Sequence, residues 1–222
     1  YNLQIRNSKT NPQYVFNTLF DGYVFDRGSG LNLSVFDAKN KLGIKMGATA
    51  LLEEEGIRLH LLTDDIILGY RKFNANDDNY LFLSDDNRVA AKLNLRSSDG
   101  MGLQVYTDDE NAEALQDVTV SLNDFDLSKL TAVLPYFPKI TGRLNGDLHA
   151  IQTEKQITVS SNLAVDKMTY EGCAMGNVSS EFVYMPKDDG SHYVDAMLFS
   201  NDEKVITLVG TYNPAGKGVL DA

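Results

Sequence analysis

The sequence predicts a mainly β protein, a long antiparallel meander interrupted by one short helix, and three observations carry that reading. Apolar and polar residues alternate with period two along most of the chain. Turn-forming Asp, Asn and Gly clusters recur about every dozen residues. The composition has seventeen Gly, eleven Tyr, ten Phe and only five Pro, which suits many strands joined by tight turns.

Alternation is clearest in ITGRLNGDLHA, where Ile140, Gly142, Leu144, Gly146, Leu148 and Ala150 point one way and Thr141, Arg143, Asn145, Asp147 and His149 the other. In ITVSSNLAV, Ile157, Val159, Leu163 and Val165 share a face with Ser161, opposite Thr158, Ser160 and Asn162. The polar connector QTEK (152–155) joins the two runs into a predicted hairpin. Upstream, Leu31, Leu33 and Val35 share a face, as do Ile44, Met46, Ala48 and Ala50, and Ile57, Leu59 and Leu61. Val89, Ala91, Leu93 and Leu95 alternate with Arg88, Lys92, Asn94 and Arg96, and Val118, Val120 and Leu122 with Thr119, Ser121 and Asn123. VSSEFVY, HYVDAMLF and KVITLVGTY continue the rhythm toward the C-terminus, and acidic or Gly-bearing turns such as EEEG, SDDN, SSDG, DDEN and KDDG separate the runs.

One segment departs from this pattern. In DFDLSKLTAVLPYFP (124–138), Leu127, Leu130, Val133 and Leu134 fall at helical intervals, which predicts a short helix capped by Asp126 or Ser128 and ended by Pro135. The chain therefore divides into a β-meander over 1–115, a strand, helix and Pro-ended turn over 116–138, and a second meander over 139–222 that breaks off within a strand. The whole reads as one continuous fragment of a longer chain.

The formal net charge of −11 sets the domain against nucleic acid and anionic lipid surfaces. A single cysteine, Cys173, excludes an internal disulfide and a cysteine-built zinc site, and its small neighbours suggest a packed side chain of low reactivity. His60, His149 and His192 lie far apart without a metal-binding pair motif and read as solvent-facing. No nucleophile elbow or P-loop occurs. The run from Asn74 to Asp85 has oxygen donors at some calcium-loop positions, but Asn79 stands where that loop needs Gly, so a solvated turn is the simpler reading. The acidic pairs Asp64–Asp65, Asp77–Asp78, Asp85–Asp86, Asp108–Asp109 and Asp188–Asp189 fall in predicted turns and do not provide glycosidase geometry. The sequence thus predicts neither an enzyme nor a bound cofactor or metal.

The stretch LQDVTVSLNDFDLSKLTAVLPYFPKITGRLNGDLHA resembles the TamB family, the translocation and assembly module proteins of diderm bacterial envelopes, related to AsmA-like proteins. The likeness rests on the order of its parts: a strand (Val118 to Leu122), a Leu-rich helix introduced by D-L-x-x-L (Asp126 to Leu134), a proline-ended turn (Pro135 to Pro138) and a G-x-L-x-G-D strand (Gly142 to Asp147). It continues through SSNLAVDKMTYEGCAMGNVSSEF around Gly172 and Gly176, while 1–115 matches only in strand rhythm. The resemblance implies a long curved sheet folded into a half-pipe or β-taco whose apolar interior holds acyl chains or aids outer-membrane protein assembly. It also implies a periplasmic location, a parent protein anchored in the inner membrane by a segment absent from this chain, and a phospholipid or apolar client as partner. An outer-membrane barrel protein of the assembly machinery would be a further partner, and nucleic acid none.

Elementary packing points the same way, since a sheet with one long apolar face must cover it with another layer or a ligand. The sequence offers one helix, so folding the sheet over on itself is the expected solution. The candidate groove residues are Leu93, Leu95, Val118, Val120, Leu144, Leu148, Val159 and Leu163. The alternative is a carbohydrate-active or structural β-rich surface module, with Tyr70, Phe73, Tyr80, Tyr106 and Tyr136 as candidate aromatic contacts.

Overall fold

The computed structural model describes residues 2–6, 17–37, 39–108, 114–134, 137–213, 216 and 219–221. Strands β1 (Asn2–Arg6), β2 (Asn17–Phe25), β3 (Gly28–Phe36) and β4 (Leu42–Glu53) form a meander. A compact insertion follows, made of β5 (Gly56–Leu61), β6 (Ile66–Leu68), β7 (Arg71–Ala75) and β8 (Tyr80–Ser84). The meander resumes with β9 (Val89–Ser97), β10 (Gly102–Thr107) and β11 (Gln116–Asp126), and is broken by helix α1 (Leu127–Thr131). It ends with β12 (Ile140–Gln152), β13 (Ile157–Tyr170), β14 (Cys173–Pro186), β15 (His192–Ser200), β16 (Glu203–Tyr212) and β17 (Val219–Asp221).

The protein is mainly β, with 71% of the described residues in strands, and all the described strand pairings are antiparallel. Among the described residues, seventeen strand segments occupy fifteen positions in one sheet. The difference lies in the insertion. β4 pairs with β5 near its C-terminal end and with β6 near its start, while β9 pairs with β8 and then with β7. The pairs β5–β8 and β6–β7 thus lie end to end between β4 and β9.

Two asparagines close the resulting gaps in the ladder. The Asn79 side chain accepts from the Leu61 amide (2.7 Å) and donates to the Leu61 carbonyl (3.0 Å), so it acts as one more backbone unit beside β5. Asn76 accepts from the Asn94 amide (2.8 Å) and donates to the Lys92 carbonyl (3.3 Å) in the same manner beside β9. Asn79 is buried, and a buried amide left without partners would cost on the order of 1–3 kcal/mol. The run from Asn74 to Asp85 is therefore two strands and a tight turn rather than a cation loop. Asn74 is paired with Arg96 in β7, and Asp78 binds Lys92 and Asn76.

Helix α1 is shorter than its hydrophobic spacing suggested, at five residues. Asp126 caps it, accepting from the Ser128 amide at 3.1 Å. At the other end the Val133 amide bonds to Leu130 O (3.2 Å), an i→i+3 bond that tightens the last turn. Val133 thereby drops out of the helix and onto β3 and β4, fully buried beside Val35 and Ile44. Gly43 makes room for it, because a Cβ there would come within 2.5 Å of Val133 Cγ1. Pro135, the expected stop, lies outside the described residues.

The main core gathers Ile66, Phe73, Leu95, Met101 and Phe125, with Leu130 and Leu144 packed against it. The Phe73 and Phe125 ring centroids are 6.1 Å apart. In a flat sheet three strand spacings, about 14 Å, would separate β7 from β11, so the sheet bends toward this face near α1. Register shifts mark the same end in β11 between Leu122 and Phe125, in β12 between Thr141 and Arg143, and in β13 between Val165 and Met168. Such bulges bend strands and increase their twist. Asn145 and Asn177 side chains accept the amides freed at Asp124 and Lys167, at 2.7 and 3.0 Å.

Candidate functional site: the apolar face

Directly opposed residues in an antiparallel ladder project to the same side, so the registers trace each face across the sheet. Leu95 faces Leu103 and Leu93 faces Val105. Leu103 and Val105 in turn face Leu122 and Val120. Val118, Val120 and Phe125 oppose Ala150, Leu148 and Leu144. Leu144 and Ala150 meet Val165 and Val159, while Leu163 lies opposite Gly146 and Ser161 opposite Leu148. The face continues through Val178 and Phe182, then Ala196 and Leu198, to Leu208 and Ile206. All eight candidate residues share it.

The same side carries Leu33, Met46 and Ala48 of β3 and β4, then Leu59 and Leu61 of β5. Leu81 of β8 links these to Ala91 and hence to Leu93. One apolar face therefore runs through both meanders without a polar strand between them. The two glycines of G-x-L-x-G-D fit its geometry, since a Cβ on Gly146 (φ +140°) would lie 2.0 Å from the Asn162 carbonyl of β13. That close approach leaves a shallow place between Leu144 and Leu148.

Burial changes sharply along the strands. The hairpins at 25–28, 53–56, 84–89 and 152–157 lie at one end of the sheet, and α1 with the 97–102 and 170–173 turns at the other. Near α1, Phe73 and Ile66 are fully buried and Leu95 is 3% exposed. Leu95 thus serves the core instead of lining an accessible surface, because Phe73 and Met101 cover it. Phe73, a candidate aromatic contact, is removed from that role by the same burial. Toward the hairpin tips, Leu52 is 58% and Leu148 42% exposed on the same face. Between these zones lies an apolar depression of about 180 Å³ lined by Ala48, Leu59, Leu61, Leu81 and Leu93, with the buried Asn79 at its margin.

His60 Nδ1 lies 2.7 Å from Asn79 O, and His192 Nδ1 2.7 Å from the Tyr184 hydroxyl with the two rings stacked. His149 Nε2 lies 2.5 Å from a carboxylate oxygen of buried Asp117. The three histidines thus have partners instead of facing water freely. A polar cavity of about 460 Å³ beside Asp117, lined by Glu55, Asp86, Arg88, Thr107 and Asp117 among others, has no cysteine or histidine in its lining among the described residues. Among the described residues no three His, Cys, Asp or Glu side chains cluster closely enough to hold a metal ion. Cys173 is exposed, since it begins a strand at a turn instead of packing among its small neighbours.

Of the remaining aromatic candidates, Tyr80 and Tyr106 flank Lys92 on the opposite, polar face, with Arg58 over the Tyr80 ring. The Tyr70 hydroxyl donates to Asp37 Oδ2 at 2.8 Å. Burial, reinforced by that carboxylate, pushes the Tyr70 hydroxyl up to about 12. Burial alone would raise Asp37, yet donation from the Lys41 amide, Tyr70 and the Lys39 amide outweighs it and holds the carboxyl below its ordinary value. Tyr136 lies outside the described residues. Comparison with family models, curated proteins and solved structures finds no match for this chain.

Proposed function

We propose that this chain is a periplasmic, TamB-like scaffold that shelters acyl chains against its apolar face during lipid transfer between membranes. The supporting observation is the register: one apolar face crosses both meanders, and α1 covers only one end of it. A sheet face left open toward the tips needs an apolar companion, and an acyl chain, which has no hydrogen-bonding groups, suits it. In this reading Leu93, Val118, Val120, Leu144, Leu148, Val159 and Leu163 contact the chain, and the protein binds and carries without catalysing a reaction. Its parent would be anchored in the inner membrane, and an outer-membrane barrel would be its downstream partner.

A photo-crosslinking residue at Leu148 or Val159, in protein prepared from an envelope fraction, is expected to capture phospholipid, whereas one at Thr158 or Asn162 on the other face is not. Capture of polypeptide alone from the first pair would favour assembly of outer-membrane proteins. Equal capture from both faces, or none, would overturn the groove and favour a closed structural module. Leu148→Asp supplies a second readout. Because Leu148 is half-exposed, its carboxylate reaches water, so the several kcal/mol charged to a dry site does not apply. The variant is expected to fold with a melting temperature within a few degrees of the parent, at a cost of about 1 kcal/mol, and to lose lipid.

A further inference from the structure

Resting on that reading, the structure assigns the entrance and the headgroup: we propose that acyl chains enter at the hairpin-tip end beside β4, β5 and β8, and that this mouth admits a lipid with a cationic amine and no net negative charge. The apolar residues there are Val24, Leu52, Ile57 and Leu83. Leu52 faces Ile57, and Ile57 faces Leu83. Val24 joins the same side through Ser29 and Ala50. All four are between 41% and 74% exposed. Over β3, β4 and β7 to β11 the opposite end of the face is blocked by Val133, Leu130, Phe73 and Phe125, so a chain lying on that part of it approaches from the tips.

Charge is distributed as unevenly as burial. The three tips beyond the mouth carry Asp26, Glu53, Glu54, Glu55, Asp85 and Asp86 against Arg27, Arg58 and Arg88. Arg58 binds Glu53 and Arg88 binds Asp86, while Asp26, Glu54, Glu55 and Asp85 have no ion pair among the described residues. At the helix end three carboxylates around the core are matched by cations: Lys45 and Lys72 bind Asp65, and Arg71 binds Asp99 and Asp126. A headgroup held at the mouth while its chain lies on the apolar face therefore sits in a negative field. An ammonium is attracted there, and a phosphate without a compensating amine is repelled.

The test is equilibrium dialysis of the full chain with two monomeric lysolipids of equal acyl length, one with an ethanolamine and one with a glycerol headgroup, below their micelle concentrations. At low salt the ethanolamine form is expected to bind about three- to five-fold more tightly, the scale of one or two exposed charge interactions. The preference should fall toward unity in 0.5 M salt, roughly where the screening length shrinks to a few ångströms. It should also vanish in the variant Glu54→Gln, Glu55→Gln, Asp85→Asn, which leaves the apolar contacts in place. Leu83→Ser should weaken both lysolipids alike. Equal binding of the two headgroups overturns the proposal while leaving the acyl-chain scaffold standing, as does a preference that survives the carboxamide substitutions. Binding of neither lysolipid overturns both.

Discussion

The helix end and the hairpin-tip end of this sheet are written in the same alternating code, yet one is a core and the other an open surface. Near α1 the apolar positions of β4, β9 and β11 are sealed, because β6, β7 and the turn after α1 place Ile66, Phe73 and Val133 over them. Toward the tips the described residues place no second layer over the face, and Leu52, Ile57 and Leu148 stay exposed. Period two therefore tells which side a residue faces, and not whether that side is covered. Coverage comes from segments outside the pattern.

The sharpest way to break this comparison is to empty the sealed end. Phe73→Ala removes a fully buried ring that stacks on Phe125, and should cost about 3–5 kcal/mol. Leu148→Ala removes a half-exposed side chain from the same face and should cost under about 1.5 kcal/mol. Urea unfolding measures both. Equal losses would mean that the tip end is as closely packed as the helix end, contradicting the division.

The strands, their facing and the 140–165 hairpin were legible because each depends on local alternation that the registers preserve. Seven of the eight candidate face residues remain on the partly covered surface for the same reason. Leu95 does not, since its burial depends on Phe73, which lies in a five-residue strand flanked by charged and polar residues, with no apolar alternation to mark it. Asn76 and Asn79 were equally unreadable: alone, N-A-N-D-D-N is turn chemistry, and only the end-to-end packing of β5–β8 with β6–β7 gives those amides a missing ladder rung to fill. The helix was found by its leucine spacing but overextended, because Val133 satisfies the same spacing while packing on β3 and β4 instead.

Asn79 offers a smaller perturbation of the junction between the two regions. Asn79→Ala leaves the Leu61 amide and carbonyl without their side-chain partners and should cost about 1–3 kcal/mol. Asn79→Asp keeps the acceptor but loses the donor, and should fall between the parent and the alanine variant near neutral pH. Hydrogen exchange at the Leu61 amide reports the local effect. Unchanged protection in Asn79→Ala would show that another group, and not the side chain, closes the ladder.

The smallest expected effect concerns the polar latch beside the sealed end, where the Tyr70 hydroxyl donates to Asp37 and Lys41 Nζ lies 4.6 Å from the Tyr70 ring centroid. Tyr70→Phe should cost about 1 kcal/mol at neutral pH, in the range for one partly solvated hydrogen bond. Its pH signature is more diagnostic than its size. Folding raises the Tyr70 hydroxyl from its ordinary 10.0 to about 12, so between those values the unfolded chain loses a proton that the folded chain keeps. Stability from this group is complete below pH 10 and is lost as the pH rises through the folded value. Tyr193 is also raised, by its hydrogen bond to Asp195, so the parent should lose stability from both groups in alkali and Tyr70→Phe from Tyr193 alone. Asp37 works in the opposite direction: its folded value is lowered, so its contribution is present above the ordinary carboxylate range and disappears as the pH falls through the folded value. Without the Tyr70 donor that acid-side loss should become shallower. Denaturant titrations of parent and variant across both ranges measure the two slopes, and parallel curves at alkaline pH would show that the Tyr70–Asp37 contact does not fasten the sealed end.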